Sequence, residues 1–393
     1  MIEGISSPQA LVDLKILVIV GFCLLFSPYL ARLLRLPVSA VEIMLGASAA
    51  ALALINESSN FKLLANVGFY YLMFMAGMEV NLRSFLSIQK SFLKRALLYI
   101  ILLYALSALT VSVYELSYIF IIILPVMSVG LLGILIKDYG KNYEWLNISF
   151  LVATLAEVVS IVLLTVVAAF LHNNNILAVG KSIIYLLIFL VLCLLCFKLL
   201  KVIFWWYPNL KNAVISWQDK DEKDVRFCMG IFVLVICAML VSGLELALGA
   251  FIAGSFIATF FDQQNKLEHK LSGFGFGFLI PIFFIYIGST FDLRALLDRE
   301  VLKDTLFLFV AMLMLRLLCA GVFLKKFKLK DTILFGLSHS MPLTLLIATA
   351  TLSYEASIID KSLYSALILV SLLEAVFVMT VIKFLFNFKR VTN

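Results

Sequence analysis

The chain has 393 residues, 63% of them hydrophobic and only 14% charged, with a mean hydropathy of +1.09. A water-soluble domain runs about 45–50% apolar and about 25% charged, so a soluble globule, a disordered chain and a low-complexity chain are all excluded. The net charge of +7 is not a nucleic-acid signature, because Lys and Arg gather in the cytoplasmic loops of membrane proteins. The six cysteines, Cys23, Cys193, Cys196, Cys228, Cys237 and Cys319, sit in or beside apolar runs. They are expected to be inert buried thiols and not a metal or redox centre.

In chain order, the first stretch carries Glu3 and Asp13 with no early Lys or Arg. It lacks the positive region of a cleaved leader, so the first apolar run is expected to be a retained helix. A membrane helix needs about 20 apolar residues. Thirteen candidates follow, at about 12–32, 38–55, 62–80, 92–113, 117–136, 146–170, 178–204, 227–243, 246–261, 271–290, 302–324, 332–352 and 362–387. The longest polar connection, Tyr207 to Arg226, is only a loop. The expected class is an all-α polytopic membrane protein.

With the N-terminus outside, the inner loops hold 23 of the 31 Lys and Arg residues and the outer side holds seven; Arg316 lies within a span. That asymmetry predicts an outer N-terminus and a cytoplasmic C-terminus.

The third span ends Met75-Ala76-Gly77-Met78-Glu79-Val80-Asn81-Leu82-Arg83, and the tenth ends Tyr286-Ile287-Gly288-Ser289-Thr290-Phe291-Asp292-Leu293-Arg294. The second and ninth share Leu-Gly-Ala, at Leu45–Ala47 and Leu248–Ala250. An offset of seven spans reverses the crossing direction. The expectation is an inverted 6+1+6 repeat, an architecture of many secondary transporters.

Two spans are expected to break. The fifth contains Leu124-Pro125-Val126-Met127-Ser128-Val129-Gly130 and then Gly133; the twelfth contains Gly336-Leu337-Ser338-His339-Ser340-Met341-Pro342. Proline removes a backbone donor and clashes with the preceding turn, and glycine weakens a helix. Discontinuous helices offer carbonyls and half-helix ends to an ion. Gly273-Phe274-Gly275-Phe276-Gly277 follows no strand, so it is no nucleotide loop; Gly273 and Gly277 suit close helix packing.

An ionisable group inside a membrane is costly, so each is a functional hypothesis. Glu157, Arg316 and Glu374 lie mid-span in the sixth, eleventh and thirteenth spans. Glu42, Glu79, Glu115 and Glu245 fall near span ends and are expected at the interface. His339 stands at the second break, where it is either a hydrogen-bonded breaker or a group that titrates near neutral pH.

Three stretches resemble Kef-type members of the monovalent cation:proton antiporter-2 family. They are Met75–Leu82, Leu246–Gly254 and Gly277–Leu293, with Ser128-Val129-Gly130 through Lys137-Asp138 similar to the family's first broken helix. The resemblance implies a proton-coupled exchanger of Na⁺ or K⁺ that is a homodimer in the lipid bilayer and works by elevator-type alternating access. It implies a dimer domain (1–90 and 226–300), a core transport domain (91–173 and 301–393) and a linker (174–225).

Glu157 matches the ion-binding carboxylate position, where the family usually has Asp beside a second polar residue; here Ala156 precedes it. Ser128 and Met127 would complete the cation and proton site, with Arg316 as the compensating charge and Glu374, His339 and Ser338 as further candidates. Many relatives continue into a nucleotide-binding regulatory domain, which is not expected here, and no cofactor is expected.

A free Glu titrates near ~4.3. Burial favours the neutral form of a carboxyl and a nearby guanidinium the charged form, so proton and cation can compete for one carboxylate. The rival readings are a sodium-coupled symporter of an organic anion and a cation channel. An intramembrane enzyme would need a catalytic dyad that the spans lack.

Overall fold

The computed structural model describes residues 8–34, 36–55, 58–79, 90–140, 142–173, 222–244, 246–260, 264–291 and 293–391, with scattered helical positions between 184 and 206. Every regular element among the described residues is helical. In hydrocarbon a segment must satisfy its own backbone polar groups, and a helix does so locally. Eight of the described helices are long and apolar enough to cross a membrane, nine if one bent pair counts as a span. The chain is an integral membrane protein.

The helices are α1 (Pro8–Leu34), α2 (Val38–Ala51), α3 (Ser59–Met78), α4 (Lys90–Val113), α5 (Phe120–Ile123), α6 (Gly130–Tyr139) and α7 (Glu144–Asn173). They continue with α8 (Lys223–Val241), α9 (Leu246–Phe260), α10 (Gln264–Phe274), α11 (Ile280–Thr290), α12 (Arg299–Ala320), α13 (Leu329–Ser338), α14 (Leu343–Glu355) and α15 (Lys361–Val391). The expected seventh span lies largely outside the described residues, as do Asn81, Leu82, Arg83, Asp292, Glu245, Cys193 and Cys196.

The expected tenth span starts earlier than its apolar run. The amphipathic α10 leads into a π-helical turn, Gly275–Leu279, before α11. Glycines with little intrinsic helix preference make such a wide turn cheap. Contrary to the sequence expectation, none of the described residues packs within 4 Å of a Cβ at Gly273 or Gly277. Gly275 is the packed one, under the ring of Tyr71, whose hydroxyl donates to the Leu271 carbonyl at 2.9 Å.

The chain divides into two compact units, one of Met1–Ser58, Ile88–Leu164 and Phe284–Asn393, the other of Ser59–Ser87 and Thr165–Phe283. In the first, α2 meets α11 through glycines. A Cβ at Gly46 would overlap the Ile285 carbonyl oxygen, and one at Gly288 would overlap that of Ile43. In the second, α3 meets α9 the same way. A Cβ at Gly254 would overlap the Phe74 carbonyl oxygen, and one at Gly77 would overlap that of Phe251. Ser255 adds a hydrogen bond to the Gly77 carbonyl at 3.1 Å. Small residues allow backbones this close, where dispersion and weak polar contacts replace the missing hydrophobic drive.

The two contact sets obey one correspondence. Gly77 pairs with Gly288 and Phe74 with Ile285, as the aligned sequence motifs require. Gly46 then pairs with Gly254 and Ile43 with Phe251. These contacts do not follow the shared Leu-Gly-Ala, whose Gly249 faces Met239 of α8. A third contact fits the same correspondence. A Cβ at Gly68 would overlap the Leu279 carbonyl oxygen, and Gly68 stands as far before Gly77 as Leu279 stands before Gly288.

Forcing a methyl into such a contact typically costs about 1–3 kcal/mol. Gly254→Ala and Gly77→Ala are expected to lower the melting temperature of the detergent-purified protein clearly. Gly21→Ala, with none of the described residues within 4 Å of its Cβ, should leave it unchanged or slightly higher, since alanine suits a helix better than glycine. Equal melting of all three variants would refute the close backbone approach.

Candidate functional site

Both expected breaks are present, and both lie within the first unit. α5 stops at Ile123, residues Leu124–Val129 are not α-helical, and α6 begins at Gly130. Pro125 supplies no backbone donor, which explains the stop. The second break separates α13 from α14 with a bend of 41°. His339 caps α13, Ser340 bends the chain with its N–H on the Leu337 carbonyl at 2.8 Å, and Pro342 caps α14. Proline suits a helix start, where its missing N–H is not needed.

Glu157 lies in α7 and is 1% exposed. The backbone N–H of Val129, the residue capping α6, donates to its Oε2 at 3.2 Å. The carboxylate therefore faces the positive end of a half-helix, an arrangement that favours negative charge. Ala156 beside it is buried and brings no polar atom. Ser128, one residue before Val129, is buried and hydrogen-bonds Thr344 in the first turn of α14 through the two hydroxyls. The two breaks are thus joined next to Glu157. Met127, also fully buried, lies in the same non-helical stretch.

Arg316 of α12 is completely buried. Its Nη2 donates to the Val126 carbonyl at 2.6 Å, and its Nη1 forms an ion pair with Glu374 Oε1 at 3.4 Å. The guanidinium thus holds a carbonyl freed by the first break, and its ion-pair partner is the buried Glu374 of α15. Arg316 Nε and Glu374 Oε2 have no hydrogen-bond partner among the described residues.

His339 is 2% exposed and uses both ring nitrogens. The Ser149 carbonyl, 3.0 Å from Nε2, can only accept, so Nε2 carries a proton. In the neutral ring Nδ1 then accepts from the Tyr99 hydroxyl at 3.0 Å. The imidazole ties the second break to α4 and α7, and the Phe335 ring packs edge-on against it at 4.3 Å. Ser338 does not face the other break: its hydroxyl donates to the Phe335 carbonyl at 2.8 Å within its own helix.

One constant offset along the chain relates Tyr99 to Arg316, Pro125 to Pro342, Met127 to Thr344 and Glu157 to Glu374. Tyr99 reaches His339 at the second break and Arg316 the Val126 carbonyl at the first.

Thr344 was missed by sequence reasoning. A threonine in an apolar helix carries no signal of its own, although its correspondence to Met127 could have singled it out. Glu42 corrects an expectation: it is 3% exposed, not interfacial, and accepts a hydrogen bond from the Ser27 hydroxyl at 3.4 Å. Glu115 is exposed, as a residue at a span end should be.

Residues 21–388 match the family model described as sodium/hydrogen exchanger, transmembrane. The chain is 26% identical over 374 residues to the putative Na⁺/H⁺ antiporter YjbQ of Bacillus subtilis, covering 88% of this chain and 58% of that protein. It therefore spans less than two thirds of that relative's length. It is 23% identical over 354 residues to the probable Na⁺/H⁺ antiporter 3 of Methanocaldococcus jannaschii, covering 85% of this chain and 86% of that one. Among solved structures, its fold is similar to the sodium proton antiporter MjNhaP1 of Methanocaldococcus jannaschii at pH 8, with a TM-score of 0.63 and 14% identity over 93% of this chain and 96% of that one. With the family match extending from α1 into α15, the chain belongs to the transmembrane sodium/hydrogen exchanger family.

Proposed function

We propose that the protein is a secondary transporter, not an enzyme, that exchanges protons for a monovalent cation, Na⁺ or K⁺. Glu157 is the carboxylate for which the two compete. The observation that carries this reading is the Val129 N–H on Glu157 at the first break, 3.2 Å from a carboxylate that is 1% exposed. A carboxylate held there can be neutralised by a proton or by a cation, and each displaces the other. Hard cations prefer oxygen ligands, and Ser128 and the Met127 carbonyl are candidates to complete the shell. Family membership and antiporter relatives support the same reading.

The proposal includes thirteen spans in an inverted 6+1+6 repeat, with an outer N-terminus and a cytoplasmic C-terminus. The reciprocal glycine contacts and the offset relating Glu157 to Glu374 support the repeat. It also includes a homodimer, with 1–90 and 226–300 as dimer domain, 174–225 as linker, and 91–173 and 301–393 as the core that moves in an elevator-type cycle.

The direct test is proton movement in proteoliposomes on addition of Li⁺, Na⁺, K⁺ and Rb⁺ in turn. Exchange with at least one of them is expected, and none with any would refute the reading.

Exchange should be electroneutral. Ala156 brings no side-chain ligand, and the charge of Glu374 is matched by Arg316. That leaves Glu157 to carry either one proton or one monovalent cation. A membrane potential acts on net moved charge at about 2.3 kcal/mol per elementary charge per 100 mV. Rates measured at zero and at a negative clamped potential should therefore agree. Clear stimulation that disappears in Glu374→Gln would instead name Glu374 as a second proton carrier.

A further inference from the structure

We propose that Thr344 is a cation ligand, and that the Ser128–Thr344 hydroxyl pair parts to coordinate the cation in front of Glu157 and so sets which cation is carried. This rests on the reading of Glu157 as the exchanging carboxylate.

Ser160 of α7 bonds the Tyr104 hydroxyl across helices at 3.1 Å, but among the described residues the Ser128–Thr344 pair is the one that links the two breaks. The other hydroxyls of the second break turn back into their own helix: Ser338 onto the Phe335 carbonyl at 2.8 Å and Ser340 onto that of Gly336 at 3.3 Å. In α14, Thr349 bonds the Leu345 carbonyl and Thr351 that of Ile347. In α7, Thr154 bonds the Phe150 carbonyl at 2.7 Å. Such back-bonding is the ordinary resting place of a hydroxyl in an apolar helix. Thr344 and Ser128 instead bond each other across the two breaks.

Their position fits a path to the carboxylate. Ser128 directly precedes Val129, whose N–H holds Glu157. Thr344 is half-buried and Gly130 exposed, whereas Glu157 is buried. A Cβ at Gly130 would lie 4.0 Å from both Ser128 Oγ and Thr344 Cγ2, so the exposed Gly130 adjoins the pair.

The chemistry separates the two substrates. Two facing hydroxyls hold four lone pairs and use one in their mutual hydrogen bond, so each oxygen retains a lone pair for a cation. Neither releases a proton. A proton on Glu157 needs no further ligand, while a cation losing its water needs several oxygens at fixed distance. Removing the Thr344 hydroxyl should therefore weaken cation binding and leave proton binding intact.

The test compares wild type with Thr344→Val, which keeps the shape, and Thr344→Ser, which keeps the hydroxyl. Cation-driven proton movement is measured with Li⁺, Na⁺ and K⁺, and melting temperature is followed against cation concentration and, in cation-free buffer, against pH. Losing one ligand to a charged group corresponds to about a tenfold rise in KM. Thr344→Val should show that rise with altered ranking of the three cations, weaker cation-dependent stabilisation and an unchanged pH profile of melting; Thr344→Ser should restore the wild-type values. A wild-type KM and ranking in Thr344→Val would overturn the proposal, as would Thr344→Ser behaving like Thr344→Val, which would make the γ-methyl packing the cause. Ser128→Ala carries the same test if Thr344→Val does not fold, and a wild-type KM there is equally fatal. Absence of exchange by the wild type with every cation would overturn the parent reading together with this one.

Discussion

Glu157→Gln is expected to abolish cation-driven proton movement while leaving expression and melting temperature near wild type. The amide carbonyl of Gln can still accept from the Val129 N–H, which is the contact that seats the side chain against the first break. The break and α7 should therefore keep their geometry. The amide can neither bind a proton in the relevant range nor offer negative charge to a cation, so both half-reactions lose their common site. Glu157→Asp should retain part of the activity with a changed cation preference. Its carboxylate is withdrawn by one methylene and must leave either Val129 or the cation. Proteoliposome assays with each cation in turn separate these outcomes. Wild-type exchange in Glu157→Gln would remove Glu157 from the mechanism altogether.

The breaks were legible in the sequence because proline denies a helix one backbone donor, although a span can absorb that loss, as α1 does at Pro28. Pro125 and Pro342 lack the donor a continuous helix requires, and both helices stop where that predicts. Glu157 was legible through depth: a carboxylate far from either span end has no inexpensive route to water. Contacts between helices were less legible. Small residues cluster in both α2 and α9, so Leu-Gly-Ala offered a plausible register five residues away from the one that Gly46 and Gly254 adopt. Which glycine meets a carbonyl depends on crossing geometry, and spacing alone does not encode it. Glu42 was misplaced for a related reason. It stands close to the start of α2, but packing against α1 encloses it beside Ser27. Nothing in the local sequence distinguishes a span end that is covered from one that is wet. Arg316 was expected to compensate Glu157, and the ion pair it forms, at 3.4 Å, is with Glu374, which lies equally deep in its span.

Arg316→Ala is expected to destabilise the protein strongly, because it breaks two contacts at once. Glu374, 0% exposed, loses its counter-charge, and the Val126 carbonyl loses the donor at 2.6 Å that replaces a helical N–H. Removing one partner of a buried ion pair typically costs about 3–5 kcal/mol. Arg316→Lys keeps the charge, but one ammonium cannot reproduce two guanidinium nitrogens aimed at separate partners, so an intermediate loss is expected. Glu374→Gln relieves the uncompensated carboxylate, so Arg316→Ala combined with Glu374→Gln should melt higher than the sum of the two single losses allows. Strict additivity would mean that the pair is not coupled, and an unchanged melting temperature in Arg316→Ala would mean that it does not form. The carbonyl contact adds a functional consequence. Val126 lies one residue before Met127 and two before Ser128, so an Arg316→Ala protein that still folds at low temperature has lost the brace of the first break. Its exchange should fall further than that of Glu374→Gln, which removes the charge partner and leaves the bond from Arg316 to Val126 in place.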